Sequence, residues 1–270
     1  MRTIPVMATK GGVGKSKVCV ALGRALKSKN LKVGFLDTDW VAPNLHVELG
    51  IDPRHGLVLD AGVGDIIQPI ISPEGFPLVS SAFIFPSDQA VSMDEESTIK
   101  DIMEITTPGV INWDVDGPLD YLIMDTPPTT AKFVHAALMI KGLFGVVLVT
   151  QPATTAIADL LRTVSLLKDL HVPVLGLIGN QVYVECPHDG EKIDLYDLGE
   201  EDIKAFCESQ GIPYLGSIPH VLPSMGFPTL DGVVDNLMEV DPTYLKVTPV
   251  SNLPYRILLT LARRRKSAKA

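Results

Sequence analysis

The sequence predicts an α/β fold: a doubly wound, mostly parallel sheet with helices on both faces, in a Rossmann-like three-layer sandwich. Short, nearly continuous apolar strands alternate along the chain with helical stretches, as in parallel sheets that are buried on both faces. In addition, 46% of the 270 residues are hydrophobic, which is enough for a large core. We expect a single domain over residues 1–262 and a basic tail over residues 263–270.

Each predicted element follows from its local pattern. Apolar runs predict strands at 3–8, 32–37, 78–85, 121–125, 145–150, 174–178 and 214–218. Helical periodicity predicts helices at 15–29, 153–170 and 200–210. Residues 52–94 are rich in Pro, Gly and Ser and have the least regular pattern, so we expect a long, mobile surface segment there.

A glycine-rich loop lies between the first predicted strand and the first predicted helix. Residues 9–16 read TKGGVGKS, and strand–loop–helix is the context that a phosphate-binding loop requires. Glycines let backbone N–H groups point at phosphate oxygens, and the helix N-terminus adds partial positive charge. We therefore predict a nucleotide phosphate site made of Gly11, Gly12, Val13, Gly14, Lys15, Ser16 and Lys17.

Two side chains of this loop have expected roles in a P-loop NTPase. Lys15 can reach the β- and γ-phosphates, and the Ser16 hydroxyl can bind Mg²⁺. The strict motif has glycine where this chain has Thr9. The alternative interpretation is an ordinary glycine turn before a helix, which we disfavour because the loop, the Lys-Ser pair and the strand–helix context coincide.

Acidic residues end two of the predicted strands. Asp37 and Asp39 close the second strand, and Asp125 closes the strand YLIMD. The carboxyl ends of strands form the crevice where ligands bind in such sheets. Phosphoryl transfer needs a metal clamp and a positioned water, which carboxylates at this edge can provide. Each acid taken alone could instead be a loop or helix cap.

Charge and cysteine content limit the expected partners and location. The net charge is −9, and residues 256–270 are basic without any acid, so the rest of the chain is acidic. An acidic body is a poor non-specific ligand of nucleic acid, and we expect no specific nucleic acid partner. Three well-separated cysteines argue against a disulfide framework, and together with the lack of an export signal they predict a cytoplasmic location.

The variant KGGVGKS resembles the deviant Walker A motif of the ParA/MinD/Mrp class of ATPases. The resemblance implies that Lys10 reaches across a homodimer to the partner's nucleotide, so that ATP and Mg²⁺ lie between two subunits. It also implies that Asp39 orients the attacking water, that Asp37 lies near Mg²⁺ and that Asp125 is the Walker B acid. Lys17 departs from the class, which usually has threonine there.

Longer stretches resemble the Mrp/ApbC-type iron–sulfur cluster carriers, over most of residues 1–225. VGFLDTDWVAPNLHVELG, LDYLIMDTPP, VPVLGLIGNQVYVECPHDGEK and GIPYLGSIP are similar to segments of that branch. The resemblance implies that Asn180 contacts adenine and that Pro219 lies near the base. It also implies a [4Fe–4S] cluster held across the dimer by a C-P-x-C motif.

The chain departs from that branch at two places. Where the branch has C-P-x-C, this chain has Cys186 followed by Pro, His and Asp189, so the second cluster thiolate is missing. Either Asp189 or His188 completes an unusual metal site, or the segment is a degenerate hairpin without metal, which we slightly favour. After Asp125, Thr129 and Lys132 replace a glycine and an acid of the branch, which predicts slow or differently triggered hydrolysis.

These observations leave several functions open. The first is an Mrp/ApbC-like ATPase in iron–sulfur cluster or metallocofactor assembly. The second is a MinD/ParA-like positioning or partitioning switch without metal. The third is a client-specific scaffold that binds ATP and hardly hydrolyses it. Residues 255–270 could be a membrane-binding amphipathic tail, but we favour a last helix packed on the sheet with a solvated basic end.

Overall fold

The computed structural model describes residues 1–39, 42–55, 58–60, 66–83, 100, 104–107, 109–127, 140–221 and 226–245. The chain divides into two compact units. The first comprises residues 1–7 and 15–145, and the second comprises residues 8–14 and 146–270. The predicted boundary between residues 262 and 263 lies outside the described residues and stays a prediction.

The first unit contains the amino-terminal strands. They are β1 (Arg2–Met7), β2 (Val33–Asp37), β3 (Val58–Asp60), β4 (Ile66–Gln68), β5 (Ile70–Ile71), β6 (Pro77–Ser80) and β7 (Tyr121–Asp125). The main sheet of this unit has the order β1-β7-β2-β6-β5, and all neighbours are parallel except the edge strand β5. Strands β3 and β4 form a separate antiparallel pair.

The second unit contains the remaining described strands. They are β8 (Val146–Thr150), β9 (Val174–Gly179), β10 (Tyr183–Glu185), β11 (Lys192–Asp194) and β12 (Tyr214–Ser217). Strands β12, β9 and β8 pair in parallel in that order, whereas β10 and β11 form an antiparallel hairpin. The main sheet of the first unit thus has five strands and that of the second has three, mostly parallel, as the apolar strand pattern predicts.

The described helices follow the strands at their carboxyl ends or connect them. They are α1 (Lys15–Ser28), α2 (Leu45–Glu48), α3 (Thr154–Asp169), α4 (Glu200–Gln210) and α5 (Asp231–Glu239). Short 3-10 turns occur at Pro53–His55 and Ser81–Phe83. Within the described ranges, no helix combines the length and the hydrophobicity that crossing a membrane requires.

Most predicted elements agree with the structure to within one or two residues. The prediction for residues 78–85 is only partly right, because β6 ends at Ser80 and a 3-10 turn follows. Residues 52–94 contain more regular structure than predicted, since β3 to β6 lie there, although residues 84–94 are outside the described part. These strands are two to four residues long, which is too short for a clear alternation of polar and apolar side chains.

Close packing of α1 on β2 fixes the start of the first unit. Gly23 of α1 lies against the ring of Phe35, which is fully buried and forms an edge-to-face pair with Phe76 at 5.2 Å between ring centroids. A methyl group at Gly23 would overlap the Phe35 ring. This glycine therefore allows the helix to approach the sheet closely, which positions the first turn of α1.

We expect Gly23→Ala to lower the free energy of unfolding by about 1–3 kcal/mol, because overpacking outweighs the gain in helix propensity. Gly232→Ala on α5 is the matched control, since nothing lies within 4 Å of its added methyl group. That control should leave stability unchanged or raise it by about 0.5–1 kcal/mol. Urea denaturation of both variants measures the difference, and equal effects would contradict the packing argument.

Candidate functional site

Two acidic residues end adjacent parallel strands in the same register. Asp37 of β2 lies directly opposite Asp125 of β7, and Val6 of β1 is the neighbour of Asp125 on its other side. Thr38 donates hydrogen bonds to the Asp125 carbonyl from its backbone N–H (2.9 Å) and from its hydroxyl (2.8 Å). The Thr126 hydroxyl donates to the Val6 carbonyl at 2.8 Å. The three strand ends are therefore held together just where the carboxylates emerge.

Lys15 forms a buried ion pair with Asp125. The ammonium group donates a hydrogen bond to Asp125 Oδ1, and the two side chains are only 9% and 1% exposed. Burial is the largest single influence and lowers the pKa of Lys15, but the charge and hydrogen bond of Asp125 together with the charges of Cys19 and Asp39 outweigh it, so that the pKa is raised above its ordinary value. Lys15 is thus a cation at any physiological pH, and its position at the first residue of α1 suits contact with phosphate.

Asp37 is almost fully buried and holds the start of α2. Its Oδ2 accepts hydrogen bonds from the backbone N–H groups of Asn44 (3.0 Å) and Leu45 (3.1 Å), and from the Ser80 hydroxyl (3.4 Å). Burial, followed by the charge of Asp125, raises the pKa of Asp37 to about 7 despite these hydrogen bonds. Asp37 therefore orders the segment after β2, in addition to its predicted position near a metal.

Asp39 is half-buried and adds a third carboxylate. Its backbone N–H donates to Asp37 Oδ1 at 3.1 Å, and its Oδ1 accepts a hydrogen bond from the N–H of Ala42 at 3.2 Å. Its charge contributes to the raised pKa of Lys15, so these two residues interact electrostatically. Three acids against one lysine leave an excess of negative charge, which favours a divalent cation.

A cation at this place would need further oxygen ligands. Among the described residues, no three His, Cys, Asp or Glu side chains come together as a metal site. Ser16, half-buried beside Lys15, can provide a hydroxyl oxygen, and the phosphates of a nucleotide can provide others. This donor set of hydroxyl, phosphate and carboxylate-bound water fits Mg²⁺, which retains several waters and prefers oxygen. The predicted metal ligands Ser16, Asp37 and Asp125 are compatible with this donor set, and their role stays a prediction.

The loop before α1 has the backbone conformation that phosphate binding needs. Gly12 and Gly14 have φ angles of 79° and 80°, in the left-handed region that favours glycine. Gly11 and Gly12 are exposed, and Val13 is buried at 3% exposure. Alternating backbone conformations of this kind turn successive N–H groups toward one anion. Lys17, the next predicted contact, is exposed on α1.

Asn180 joins this loop to the end of β9. Its Nδ2 donates to the Val13 carbonyl at 2.6 Å, and a methyl group on Gly14 would lie only 2.5 Å from that nitrogen. Its Oδ1 is buried and has no hydrogen-bond partner among the described residues. An orphaned buried acceptor is unfavourable unless a ligand donates to it. Pro219, half-buried after β12, follows another strand of the same unit.

The Lys10 side chain contacts the N-terminal part of α3. Its ammonium group donates to the Thr155 hydroxyl at 2.6 Å and is 3.9 Å from Asp159 Oδ2. Asp159 also accepts a hydrogen bond from Arg162 at 2.7 Å. The Lys10 side chain is 37% exposed, in contrast to the buried Lys15. The two lysines of the motif therefore have different environments.

Cys186 begins the turn between β10 and β11. Its backbone N–H donates to the Glu191 carbonyl at 2.8 Å, and Gly190 N–H donates back to the Cys186 carbonyl at 2.9 Å. The Cys186 thiol donates to the Asp189 carboxylate, which lowers the pKa of Asp189, and the N–H of Glu191 adds to this effect at 3.0 Å. The turn thus places one thiol and one carboxylate side by side, with His188 exposed in the same turn.

The other two cysteines belong to the core. Cys19 and Cys207 are 0% and 1% exposed. Burial raises the pKa of the Cys19 thiol well above its ordinary value and that of Cys207 to about 12. Neither is available as a thiolate, so Cys186 is the one of the three cysteines that can bind a metal through its sulfur.

Some contacts have little or no sequence signal, and some predicted residues cannot be placed. Thr38 and Thr126 are adjacent to the predicted acids, which is the signal that could have identified them, whereas nothing in the sequence singles out Thr155 or Asp159. Thr129, Thr130, Lys132 and the tail at 263–270 lie outside the described residues.

A glycine loop between a first parallel strand and a helix, a lysine at the first helical residue and acids at adjacent strand ends define a P-loop NTPase. The family described as "ParA: NUBPL iron-transfer P-loop NTPase" matches residues 1–226. The chain belongs to this NUBPL/Mrp-type family of iron–sulfur cluster carriers, within the MinD/ParA superfamily.

Individual proteins agree with this assignment. The iron–sulfur cluster carrier protein of Pyrococcus horikoshii is 32% identical over 222 residues, which cover 80% of this chain and 73% of that protein. The nucleotide-binding protein of Archaeoglobus fulgidus in complex with ADP has a TM-score of 0.65 at 23% identity and covers 94% of each chain. The MinC:MinD cell division complex of Aquifex aeolicus has a TM-score of 0.57 at 20% identity, covering 92% of this chain and 99% of that one. The latter two show the shared fold.

The raised pKa of Asp37 has a measurable consequence for stability. A carboxyl whose pKa is higher in the folded state stabilises the fold at low pH, and this contribution is lost as the pH rises from about 4 to about 7. Asp37→Asn is neutral at all pH values. We therefore expect its free energy of unfolding to exceed that of the wild type increasingly over this range, by on the order of 3 kcal/mol at pH 8 without nucleotide.

Urea denaturation of both proteins at pH 5 and pH 8 measures this difference. The charge-matched control is Asp52→Asn, because Asp52 pairs with the exposed Arg54 on the surface. A stability difference between Asp37→Asn and the wild type that does not change with pH would contradict the raised pKa of Asp37.

Proposed function

We propose that this protein is a Mg²⁺-dependent ATPase that acts as a homodimer and couples ATP binding and hydrolysis to the transfer of an iron–sulfur cluster. The observation that carries the proposal is the buried contact of Lys15 with Asp125, beside Asp37 in the register of adjacent strands. Membership in a family of iron–sulfur cluster carriers supplies the cargo class.

Phosphate binding begins with an exchange of partners by Lys15. In the structure this lysine neutralises Asp125. When the β- and γ-phosphates reach the loop, the ammonium group turns to their oxygens, because a phosphate carries more negative charge than one carboxylate. The Ser16 hydroxyl and, through water, the Asp125 carboxylate would hold Mg²⁺. A bound Mg²⁺ would supply positive charge beside the phosphates.

Asp39 is the residue that we propose to orient the attacking water. It is half-buried, in contrast to Asp37, whose carboxylate is engaged by the start of α2. Its electrostatic interaction with Lys15 supports a position near the expected γ-phosphate. In the reaction the water oxygen bonds to the γ-phosphorus, the bond to the β-phosphate oxygen breaks, and ADP and phosphate leave.

The base of the nucleotide is recognised by Asn180. Its buried Oδ1 can accept a hydrogen bond from the 6-amino group of adenine, which would satisfy the orphaned acceptor. Guanine has a carbonyl oxygen at that position and would repel it. Pro219, half-buried after β12, provides an apolar surface for the ring in this proposal.

Pairing of two subunits is supported by the resemblance of the loop to the deviant Walker A motif. Lys10 in this arrangement contacts the phosphates bound to the partner. Its partly exposed side chain suits that role, since it is not enclosed in its own subunit as Lys15 is. ATP then stabilises the dimer by contacting both subunits at once.

Cluster carriage is assigned to the turn at Cys186. The thiol and the Asp189 carboxylate are adjacent, so a dimer would present two thiolates and two carboxylates. Carboxylates are harder ligands than thiolates, and we expect iron to be held more weakly than by four cysteines. The adjacency favours this arrangement over a hairpin without metal. The alternative of a membrane-bound positioning switch depends on residues 255–270, which are outside the described part.

Hydrolysis can be tested by steady-state phosphate release. We expect Asp39→Asn to lower kcat by about 100-fold or more, because the attacking water loses its acceptor, while the ATP dissociation constant changes less than about 3-fold. Asp52→Asn, which changes the same charge on the surface, should match the wild type. Equal rates for Asp39→Asn and wild type would exclude the proposed role of Asp39, and a wild type without measurable turnover would exclude the ATPase.

Cluster carriage can be tested by anaerobic reconstitution with iron and sulfide. We expect about four irons per dimer in the wild type, with the visible absorption of thiolate-bound iron, and their loss in Cys186→Ala. His188→Ala, in the same turn, is the control that should retain iron. Asp189→Cys restores a second thiolate and should slow iron loss to a chelator by about 10-fold. Iron bound by Asp189→Cys and not by the wild type would contradict cluster carriage in this chain.

A further inference from the structure

We propose that Thr155 and Asp159 form a docking site that holds Lys10 within its own subunit, and that ATP-dependent pairing has to release it. The inference rests on the proposed function, in which Lys10 acts on the partner's nucleotide. It adds a regulatory contact to that function: each free subunit keeps its own signature lysine occupied until a partner with bound ATP offers phosphate oxygens instead.

The geometry of the contact indicates that the Lys10 side chain is held in one direction. Lys10 Nζ is 2.6 Å from the Thr155 hydroxyl, a short hydrogen bond, and 3.9 Å from an Asp159 carboxylate oxygen. Thr155 and Asp159 lie on the same face of α3, because they are four positions apart in the helix. The hydroxyl therefore fixes the direction of the lysine, and the carboxylate supplies an opposite charge.

The same geometry keeps the interaction weak enough for Lys10 to exchange it for a phosphate. Asp159 already forms a closer contact with Arg162, at 2.7 Å, so its charge is shared. Lys10 also lies beside the N-terminal turn of α3, where the helix dipole disfavours a cation. Asp197 accepts hydrogen bonds from Thr154 at this helix end, from the N–H at 3.0 Å and from the hydroxyl at 2.5 Å, which engages its carboxylate.

Two subunits have to make this exchange for each dimer. The contact of Lys10 is partly exposed, and one of its partners is a neutral hydroxyl. We therefore expect the loss of this contact to change an equilibrium constant by a few-fold. Because each subunit releases one lysine, the factors multiply in the dimer dissociation constant. The docking site would thus raise the dimer dissociation constant of the ATP-bound protein by the product of these two factors.

The test compares dimerisation of full-length variants by sedimentation in the presence of a non-hydrolysable ATP analogue. Thr155→Val keeps the shape of this exposed residue and removes the hydroxyl, and we expect it to lower the dimer dissociation constant about 10-fold. Asp159→Asn should lower it less, about 3-fold. Asp169→Asn is the matched control, since Asp169 is exposed at the far end of the same helix and should leave dimerisation unchanged.

A second measurement reports on Lys10 itself. Brief acetylation of nucleotide-free protein, followed by mass spectrometry, gives the reactivity of each lysine. Lys10 should react about 3-fold faster in Thr155→Val than in the wild type or in Asp169→Asn, whereas the exposed Lys17 should react equally in all three. A change in folding would alter many lysines together, so this pattern is specific to the docking contact.

The outcomes separate this inference from the proposed function. If the wild type forms no dimer with the ATP analogue, or if Lys10→Ala dimerises as well as the wild type, the role of Lys10 in pairing fails and the docking inference fails with it. If Lys10→Ala loses the dimer while Thr155→Val and Asp159→Asn behave like Asp169→Asn, pairing stands and the docking site is overturned. Weaker pairing in Thr155→Val would also overturn it.

Discussion

The buried ion pair of Lys15 and Asp125 is the interaction on which the rest of the site depends. Two charges with less than a tenth of their surface exposed are tolerable only when they neutralise each other, since removal of one partner leaves an uncompensated buried charge. Asp37 lies in the same register, and its burial and the charge of Asp125 raise its pKa to about 7. With Asp39 included, three acidic side chains face one lysine, and a divalent cation brought by a nucleotide would balance the excess of negative charge.

The pairing of the strands maintains this excess of negative charge. Direct pairing of β2 with β7 places Asp37 opposite Asp125, so both side chains start from neighbouring positions on the same face of the sheet. Thr38 and Thr126 tie the ends of the three strands together with hydrogen bonds to main-chain carbonyls. The remaining freedom lies in the lysine, which can exchange Asp125 for a phosphate. An unfavourable resting arrangement of this kind makes nucleotide binding more favourable by the amount of repulsion that it removes.

Sequence reasoning predicts the parts of this site that are local and misses those that depend on distant pairing. The loop, Lys15 and the acids at strand ends follow from strand–loop–helix context, and Tyr121–Asp125 has the predicted bounds. The strands between Val58 and Ser80 are too short to show a period, so their arrangement could not be predicted. Nor could the contact of Lys10 with Thr155, because 145 residues separate them and neither residue belongs to a pattern that implies the other. The contact of Cys186 with Asp189 could be predicted only in part. A tight turn brings residues three positions apart close together, but it does not determine that their side chains meet.

The two lysines of one loop illustrate how burial decides function. Lys15 is enclosed, paired with a buried carboxylate and attached to the first turn of α1, so its only available exchange is with a ligand in its own subunit. Lys10 is five residues earlier, more than a third exposed, and held by a hydroxyl and a shared carboxylate at a helix end that disfavours cations. A strong acceptor outside its own subunit can therefore compete for Lys10. In the proposed function, this one phosphate-binding motif thus contains a lysine that contacts the nucleotide of its own subunit and a lysine that contacts the nucleotide of the partner.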